Sequence, residues 1–580
     1  MSLTWYGNQS TAEGCCFGSL AVIFPLLERM KVAEIINQHV PADPQAEFDH
    51  GTVLSLLVAA RLHSPVALSN LGRWAGDSGA DILWGMPVEK INDDRLGRSL
   101  DAFFDQRHSI LASLALHVSH QFDVPLSSLH YDPTHILFEG AYENSEPRTS
   151  VVDGKTVRSD DALDPAHITK GRPTDDAPKG ARMTHVGLCT HVDELGPLPL
   201  FGHTVDGNQN GRTAVHEQLA LITKHLRPTK LTMISDRGTF SVGHLLRLAD
   251  EGYHALCSAP WNDFRPLFDE HFGRLLWKEA SYLSMEQKRR RESSSDLPQE
   301  HYELAVLRHR VQDEASRREL ACRVIFVYST ADEKVVRRQR QKQIERLREG
   351  LQKIEQSVAA GRRSTDENSV ARRVAKLLGT KQAARYFCWE MKTLTASQRS
   401  RLPKPARGCR RPTHRFVWSF DDSLLAEDEQ YDGYAVLVTT VPPSRASADA
   451  LFTKFKQQNY VEHVNSRFKG PLVVRPVYLH SPRRVESLVF LMMIALTVYF
   501  LLQRLYRQAI PAEASQKEQR TTTETILAAF TNYTLLIHRT RLGRVVHPTR
   551  LTTRQREILN RLGFPTPAHI LSHHLPRAPT

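Results

Sequence analysis

Cysteine is scarce in this chain and scattered. Seven occur in 580 residues, at Cys15, Cys16, Cys189, Cys257, Cys322, Cys388 and Cys409, and no C-x-x-C pair is among them. An odd, dispersed set excludes a disulfide framework and argues against structural zinc, so a reducing, cytoplasmic setting is expected. The 27 histidines include no H-E-x-x-H or comparable metal spacing. The longest uncharged apolar run, residues 488–502, has 15 residues, short of the ~18–20 that cross a bilayer. It passes directly into Gln503, Arg504 and Arg507, which suits a buried core helix and makes a membrane partner unexpected. The first residues lack the basic-then-apolar layout of a signal peptide. No internal repeat is visible.

What the chain does have is positive charge, unevenly placed. The formal net charge is +12. Residues 1–120 hold 8 Lys/Arg against 13 Asp/Glu, residues 261–420 hold 35 against 20, and residues 445–580 hold 20 against 7. A polyanion is the expected partner, tracking the middle and C-terminal parts.

Hydrophobic spacing divides the chain into an α/β protein with helical ends. Residues 1–120 read as a helical N-terminal domain, with apolar helical spacing at 20–40, 53–62 and 66–74. Residues 121–260 change period: strands are expected at 128–132, 185–191, 198–205, 230–235 and 253–259, with helices at 213–226 and 242–250. The stretch 143–181 is polar and rich in Pro, Asp and Gly, and reads as a long surface loop. The order of strands and helices suits an RNase H-like core. Residues 261–445 interrupt it as a basic, mixed helix and strand insertion, in which Ile344, Leu347, Leu351, Ile354 and Val358 recur at helical steps. Residues 446–510 resume the core with a helix over 447–468 and the long apolar helix. Residues 511–580 form a basic C-terminal helical region, where Thr552 and Gln555 suggest a capping box and Gly563 a stop.

Three acids stand out. Asp132 ends the alternating stretch 128–132, Asp236 ends the stretch 230–236, and Glu462 lies in the helical pattern at 447–468. Metal-ion cleavage of a phosphodiester needs carboxylates able to hold two divalent cations roughly 3.5–4 Å apart. Aspartates at adjacent strand ends and a glutamate on a helix packed across them meet that need. The expected ion is Mg²⁺, with Mn²⁺ as a substitute, since hard cations prefer carboxylate oxygen. Lys469 follows Glu462 by seven residues, only ~20° away around a helix, and can reach the same DNA strand. Lys454, Lys456, Gln458 and Arg467 flank the helix as further candidate DNA contacts. His130, Thr134 and Arg237 adjoin the acids. A turn, a cap or a solvated helix face explains any one of these residues alone; the ordered triad is what carries the reading.

The same residues resemble a bacterial insertion-sequence DDE transposase of the group with a tyrosine–arginine–glutamate–lysine signature around its third acid. At the signature's four places this chain has Phe455, Gln458, Glu462 and Lys469, so glutamate and lysine match while tyrosine and arginine do not. The stretches Tyr131-Asp132-Pro133-Thr134, Phe138-Glu139-Gly140, Asp206-Gly207-Asn208, Ser235-Asp236-Arg237-Gly238, Asp432-Gly433 and Arg475-Pro476-Val477-Tyr478 add to the likeness, as does a helical module over 24–104. The resemblance implies an RNase H-like catalytic domain split before the glutamate helix. It also implies binding of terminal inverted repeats, strand cleavage, and joining of 3′-hydroxyl ends to target DNA by at least a dimer. A tryptophan that stacks on a flipped base is a further family property; Trp261, Trp277, Trp389 and Trp418 are the candidates, and each reads more readily as core. An RNase H-like endonuclease without strand transfer and a non-catalytic DNA-binding scaffold stay open as alternatives.

Overall fold

The computed structural model describes residues 12–574 except 43, 153–154, 159–163, 172–179, 284–286, 288–299, 362–365, 380, 406–410, 471–478, 512 and 541–542. Cys409 and the stretch 475–478 therefore lie outside the described residues. The fold is mixed α/β around a mixed sheet.

The N-terminal part is helical, but the stretch 20–40 is two helices, Leu20–Arg29 and Val32–His39. They part at Lys31, whose φ of 54° is left-handed and cannot continue a helix. The longest helix here, α1 (Asp93–Gln121), starts where the Asn92 side chain accepts from Arg95 N–H, with Asp93 and Asp94 against the positive end of its dipole. Its buried face includes Leu96, Leu100, Phe103, Arg107 and Leu111.

The central sheet begins with β1 (Ser128–Phe138), β2 (Arg182–Asp193) and β3 (Gly196–Asp206), joined antiparallel in that order. After α2 (Gly211–Leu221), β4 (Thr232–Ser235) adds parallel to the other edge of β1; after α3 (Val242–Asp250), β5 (His254–Ser258) adds parallel to β4. The order from this end is therefore β3-β2-β1-β4-β5. The stretch 143–181 is not all loop. It holds a small hairpin, Thr149–Val152 with Lys155–Arg158, and its Arg148 is buried. The polar composition that suggested exposure serves buried hydrogen bonds instead: Asp206 accepts from Arg148 N–H and His167 N–H.

Strands from the interval 261–445 extend the same sheet. β6 (Tyr302–Gln312) pairs antiparallel with β7 (Glu319–Ser329). After β7 comes α4 (Thr330–Ala359), then a separate two-stranded ribbon, β8 (Phe387–Thr393) with β9 (His414–Phe420). β10 (Tyr434–Thr439) returns to bridge β7 and β5, antiparallel to both. Ile344, Leu347, Leu351, Ile354 and Val358 are the buried residues of α4, and they form a second core with Tyr386, Phe387 and Phe416.

The stretch 447–468 is two helices, α5 (Ala448–Lys456) and α6 (Gln458–Lys469). The break falls at Gln457, so Phe455, Lys454 and Lys456 do not share a helix with Glu462, and spacing arguments across the break fail. Beyond it, α7 (Pro482–Gln508) is long and apolar enough to cross a membrane, yet its apolar stretch is wholly buried inside the fold. Proline at its start suits a first-turn position whose N–H has no helical partner. Burial on all sides is what a core helix requires. Its Glu486 carboxylate accepts from Arg107 Nε at 2.7 Å, Arg148 Nη2 at 2.9 Å and Ala166 N–H at 2.5 Å. Burial alone would push its acid range up; Arg148 and Arg107 outweigh that and hold it low.

The C-terminal region is not wholly helical. β11 (Leu535–Thr540) and β12 (Gly543–Pro548) form a hairpin, and Ala12–Cys15 pairs antiparallel with β11. The runs Leu-Leu-Ile and Val-Val favour strand, and the N-terminal segment supplies the partner that no local pattern reveals. The expected cap is present: Thr552 and Gln555 make a reciprocal capping box, and Gly563 ends the helix at φ 66°.

Candidate active site

The register of the two parallel strands sets the site. Tyr131 lies opposite Ser235 in the last rung of the β1–β4 ladder. The next residues, Asp132 and Asp236, therefore leave that ladder side by side. β1 itself does not stop at Asp132; it continues to Phe138 along β2, with Asp132 opposite Leu188. Asp236 opens the short turn Arg237–Thr239 instead of continuing a strand.

From the other side, α6 presents Glu462, Asn465, Ser466 and Lys469, which recur at steps of three and one and so share a face. Val461, Val464 and Phe468 on the adjoining face are buried and hold the helix against the core. An open cleft of about 1290 Å³ results, lined by Asp132, Asp236 and Glu462, with Lys469, Asn465 and Lys170 among its polar walls. The loop 207–211 forms the rim. Glycine is required there: a Cβ on Gly207 would stand 2.0 Å from the Met183 carbonyl oxygen.

The electrostatics follow from this grouping. The Asp132 carboxyl is pushed up from 3.8 to about 7, first by burial, then by the charges of Asp236 and Glu462. The Lys469 ammonium and a hydrogen bond from Asn465 Nδ2 to Asp132 Oδ2, 2.7 Å long, pull the other way. Asp236 Oδ1 is buried with no hydrogen-bond partner. Among the described residues, no three His, Cys, Asp or Glu side chains are gathered as they stand to hold a metal ion. The donors nonetheless suit one in kind. Two half-buried aspartates, one oxygen of which is unpartnered, and an exposed glutamate are hard oxygen ligands short of positive charge.

Of the candidate DNA contacts, the structure brings Lys469 to the cleft and not the other four. Lys456 lies over the Tyr302 ring at 4.8 Å and near Asp332. Arg467 is paired with Glu524 at 2.5 Å. Lys454 is half-buried, and burial lowers its ammonium. Gln458 opens α6 with its amide oxygen buried and unpartnered. Beside the acids, Thr134 lines the cleft and Arg237 is exposed. His130 is buried and driven down to about 3 by burial, then by Lys454 and His191, so it is a neutral imidazole. The four candidate tryptophans pack with other rings: Trp261 and Trp277 with Phe268 and Tyr434, Trp389 with Phe416, Trp418 with Phe387. Sequence reasoning missed Asn465, although its position three residues after Glu462 places both on one helix face.

Comparison with known families adds one match. Residues 17–116 fit a family model described as a domain of unknown function, DUF4277, which covers the N-terminal helices into α1. No curated protein matches the chain.

Proposed function

We propose that this chain is a DDE transposase of a bacterial insertion sequence, with Asp132, Asp236 and Glu462 as its acids. The observation that carries the reading is the shared cleft: β1–β4 register sets two aspartates side by side, and a helix more than 220 residues later brings the glutamate to them. The strand order β3-β2-β1-β4-β5, with β1, β4 and β5 parallel, supports an RNase H-like core, and the added strands enter between β5 and the glutamate helix.

The three carboxylates would hold Mg²⁺ or Mn²⁺, which would supply activation of the attacking hydroxyl and stabilisation of the leaving oxygen. The chain's own residues set the stage. Asn465 fixes the orientation of Asp132 through its amide. Lys469 offers an ammonium to a backbone phosphate entering the cleft. Burial, and then repulsion from Asp236 and Glu462, keeps Asp132 partly protonated near neutrality, so a cation or a rise in pH is needed to ionise it fully. On this reading the substrate is duplex DNA, the terminal inverted repeats and then the target, in the cytoplasm. Pairing two ends calls for a homodimer or larger assembly.

The test is Glu462→Gln, which keeps size and helix position but removes the charge. Cleavage and joining of a labelled terminal-repeat duplex in Mg²⁺ should fall at least a hundredfold, while gel-shift binding stays within about twofold, because the acids ligate and the cations bind DNA. Near-normal cutting by this variant would remove Glu462 from the triad. Cutting without joining of a pre-cut 3′ end by the wild-type protein would favour a plain endonuclease.

A further inference from the structure

Residues 391–420 contain eight Lys/Arg and no Asp or Glu. The stretch comprises the end of β8, all of β9 and the connection between them, and the ribbon pairs Trp389 with Trp418 and Lys392 with Arg415. The pleat gives the ribbon two faces. One carries Phe387, Trp389, Phe416 and Trp418 onto the core built around α4, and Trp418 Nε1 donates to Glu355 Oε2 at 3.0 Å. The other carries Cys388, Glu390, Lys392, Arg415 and Ser419, all exposed. The ribbon is thus held rigidly by its aromatic side and offers its polar side to solvent. Among the described residues neither strand has a third partner.

Lys392 and Arg415 oppose each other directly, an arrangement that costs stability unless an anion intervenes. Glu390, paired with Lys392 at 2.7 Å, is the acid that partly offsets it. Past the ribbon's end, Arg401, Lys404 and Arg411 are exposed as well. The ribbon and its connection thus expose five cations, Lys392, Arg401, Lys404, Arg411 and Arg415, against the single acid Glu390 among the described residues 387–420, whereas a face that serves only solubility mixes the two signs more evenly. A two-stranded ribbon is also one of the two elements that a major groove, about 12 Å wide, admits.

We infer that the β8–β9 ribbon is a second duplex-DNA contact, separate from the acidic cleft, that lies in a major groove and grips the flanking phosphates through Arg401, Lys404, Arg411 and Arg415. The identity of the ligand rests on the transposition reading above. The test uses the full chain in metal-free buffer and compares the wild type with R401Q/K404Q/R411Q/R415Q by fluorescence anisotropy on a labelled duplex across a salt series. Losing four phosphate contacts should flatten the slope of log K against log salt by up to about 3.6 and weaken binding tenfold or more. Protection of guanine N7, which faces the major groove, should be lost over part of the site. A matched variant with four exposed cations of α4 removed (Lys334, Arg338, Lys342 and Arg346 to Gln) should lose less. An unchanged slope in the ribbon variant, or an equal loss in the α4 variant, overturns the inference. A wild-type protein that binds duplex through the ribbon but never cuts it would instead sink the transposition reading and leave the ribbon contact standing.

Discussion

Replacing Asp132 by asparagine tests the site through folding alone, without DNA. In the folded protein this carboxyl loses its proton at about 7, whereas its ordinary value is 3.8. Below pH 4 both folded and unfolded chains hold the proton and the group is neutral to stability. Between about 4 and 7 the unfolded chain releases it and the folded chain keeps it, so stability falls as pH rises; above 7 the penalty is constant. An interval of about three pH units corresponds to roughly 4 kcal/mol at 1.36 kcal/mol each. Because Asp132 is only half-buried and partly screened, about 2 kcal/mol is the working figure. An asparagine at this position would not titrate, and its amide oxygen still accepts from Asn465. The variant should therefore be more stable than wild type at pH 8 by about 2 kcal/mol, which is roughly 2 °C in Tm if several hundred residues unfold together, and equal to it at pH 4. Scanning calorimetry in a chelating buffer at the two pH values measures this. Added Mg²⁺ should raise the wild-type Tm at pH 8 and leave the variant almost unmoved. If the two proteins keep the same Tm difference at pH 4 and pH 8, Asp132 does not face Asp236 and Glu462 as described.

Other perturbations probe neighbouring links. Asn465→Ala removes a hydrogen bond that favours ionised Asp132, so the rising limb of the cleavage pH profile should move to higher pH; an unshifted limb would leave Asn465 a purely structural residue. Glu486→Gln removes the buried carboxylate that Arg107 and Arg148 share and should cost about 3–5 kcal/mol, read as a large fall in Tm with no selective effect on metal response. Gly207→Ala forces its Cβ toward the Met183 carbonyl and should destabilise by at least about 1 kcal/mol or displace the cleft rim; a variant with wild-type Tm and cleavage would show that the rim yields freely.

How much of this was legible beforehand depended on the distance between partners. The α4 core set and the Thr552–Gln555 cap were readable because helical spacing and capping are local. The aspartates were readable as a pair because each follows an alternating stretch. Asp132 itself sits mid-strand, since β2 supports β1 as far as Phe138 on an edge that β4 does not reach. The break at Gln457 was hidden because apolar residues continue at helical spacing on either side of it. β6 is hard to read from sequence because its exposed positions, Glu303, Arg308 and Arg310, give it the composition of a solvated segment. Arg148 carries no local sign of burial, since its partner Glu486 lies 338 positions away.

The same separations bear on how the molecule is made. The strand at Ala12–Cys15 finds its hydrogen-bonding edge in β11, with Glu13 opposite Ile537. At ~5–20 residues per second of synthesis, that edge reaches the ribosome exit roughly 25–100 s after the strand does. Throughout that interval the N-terminal helices exist without the sheet that closes over them. A chain cut short before β11 would leave the strand at Ala12–Cys15 permanently unpaired, so premature termination yields a species prone to pair with other chains rather than a smaller stable fold.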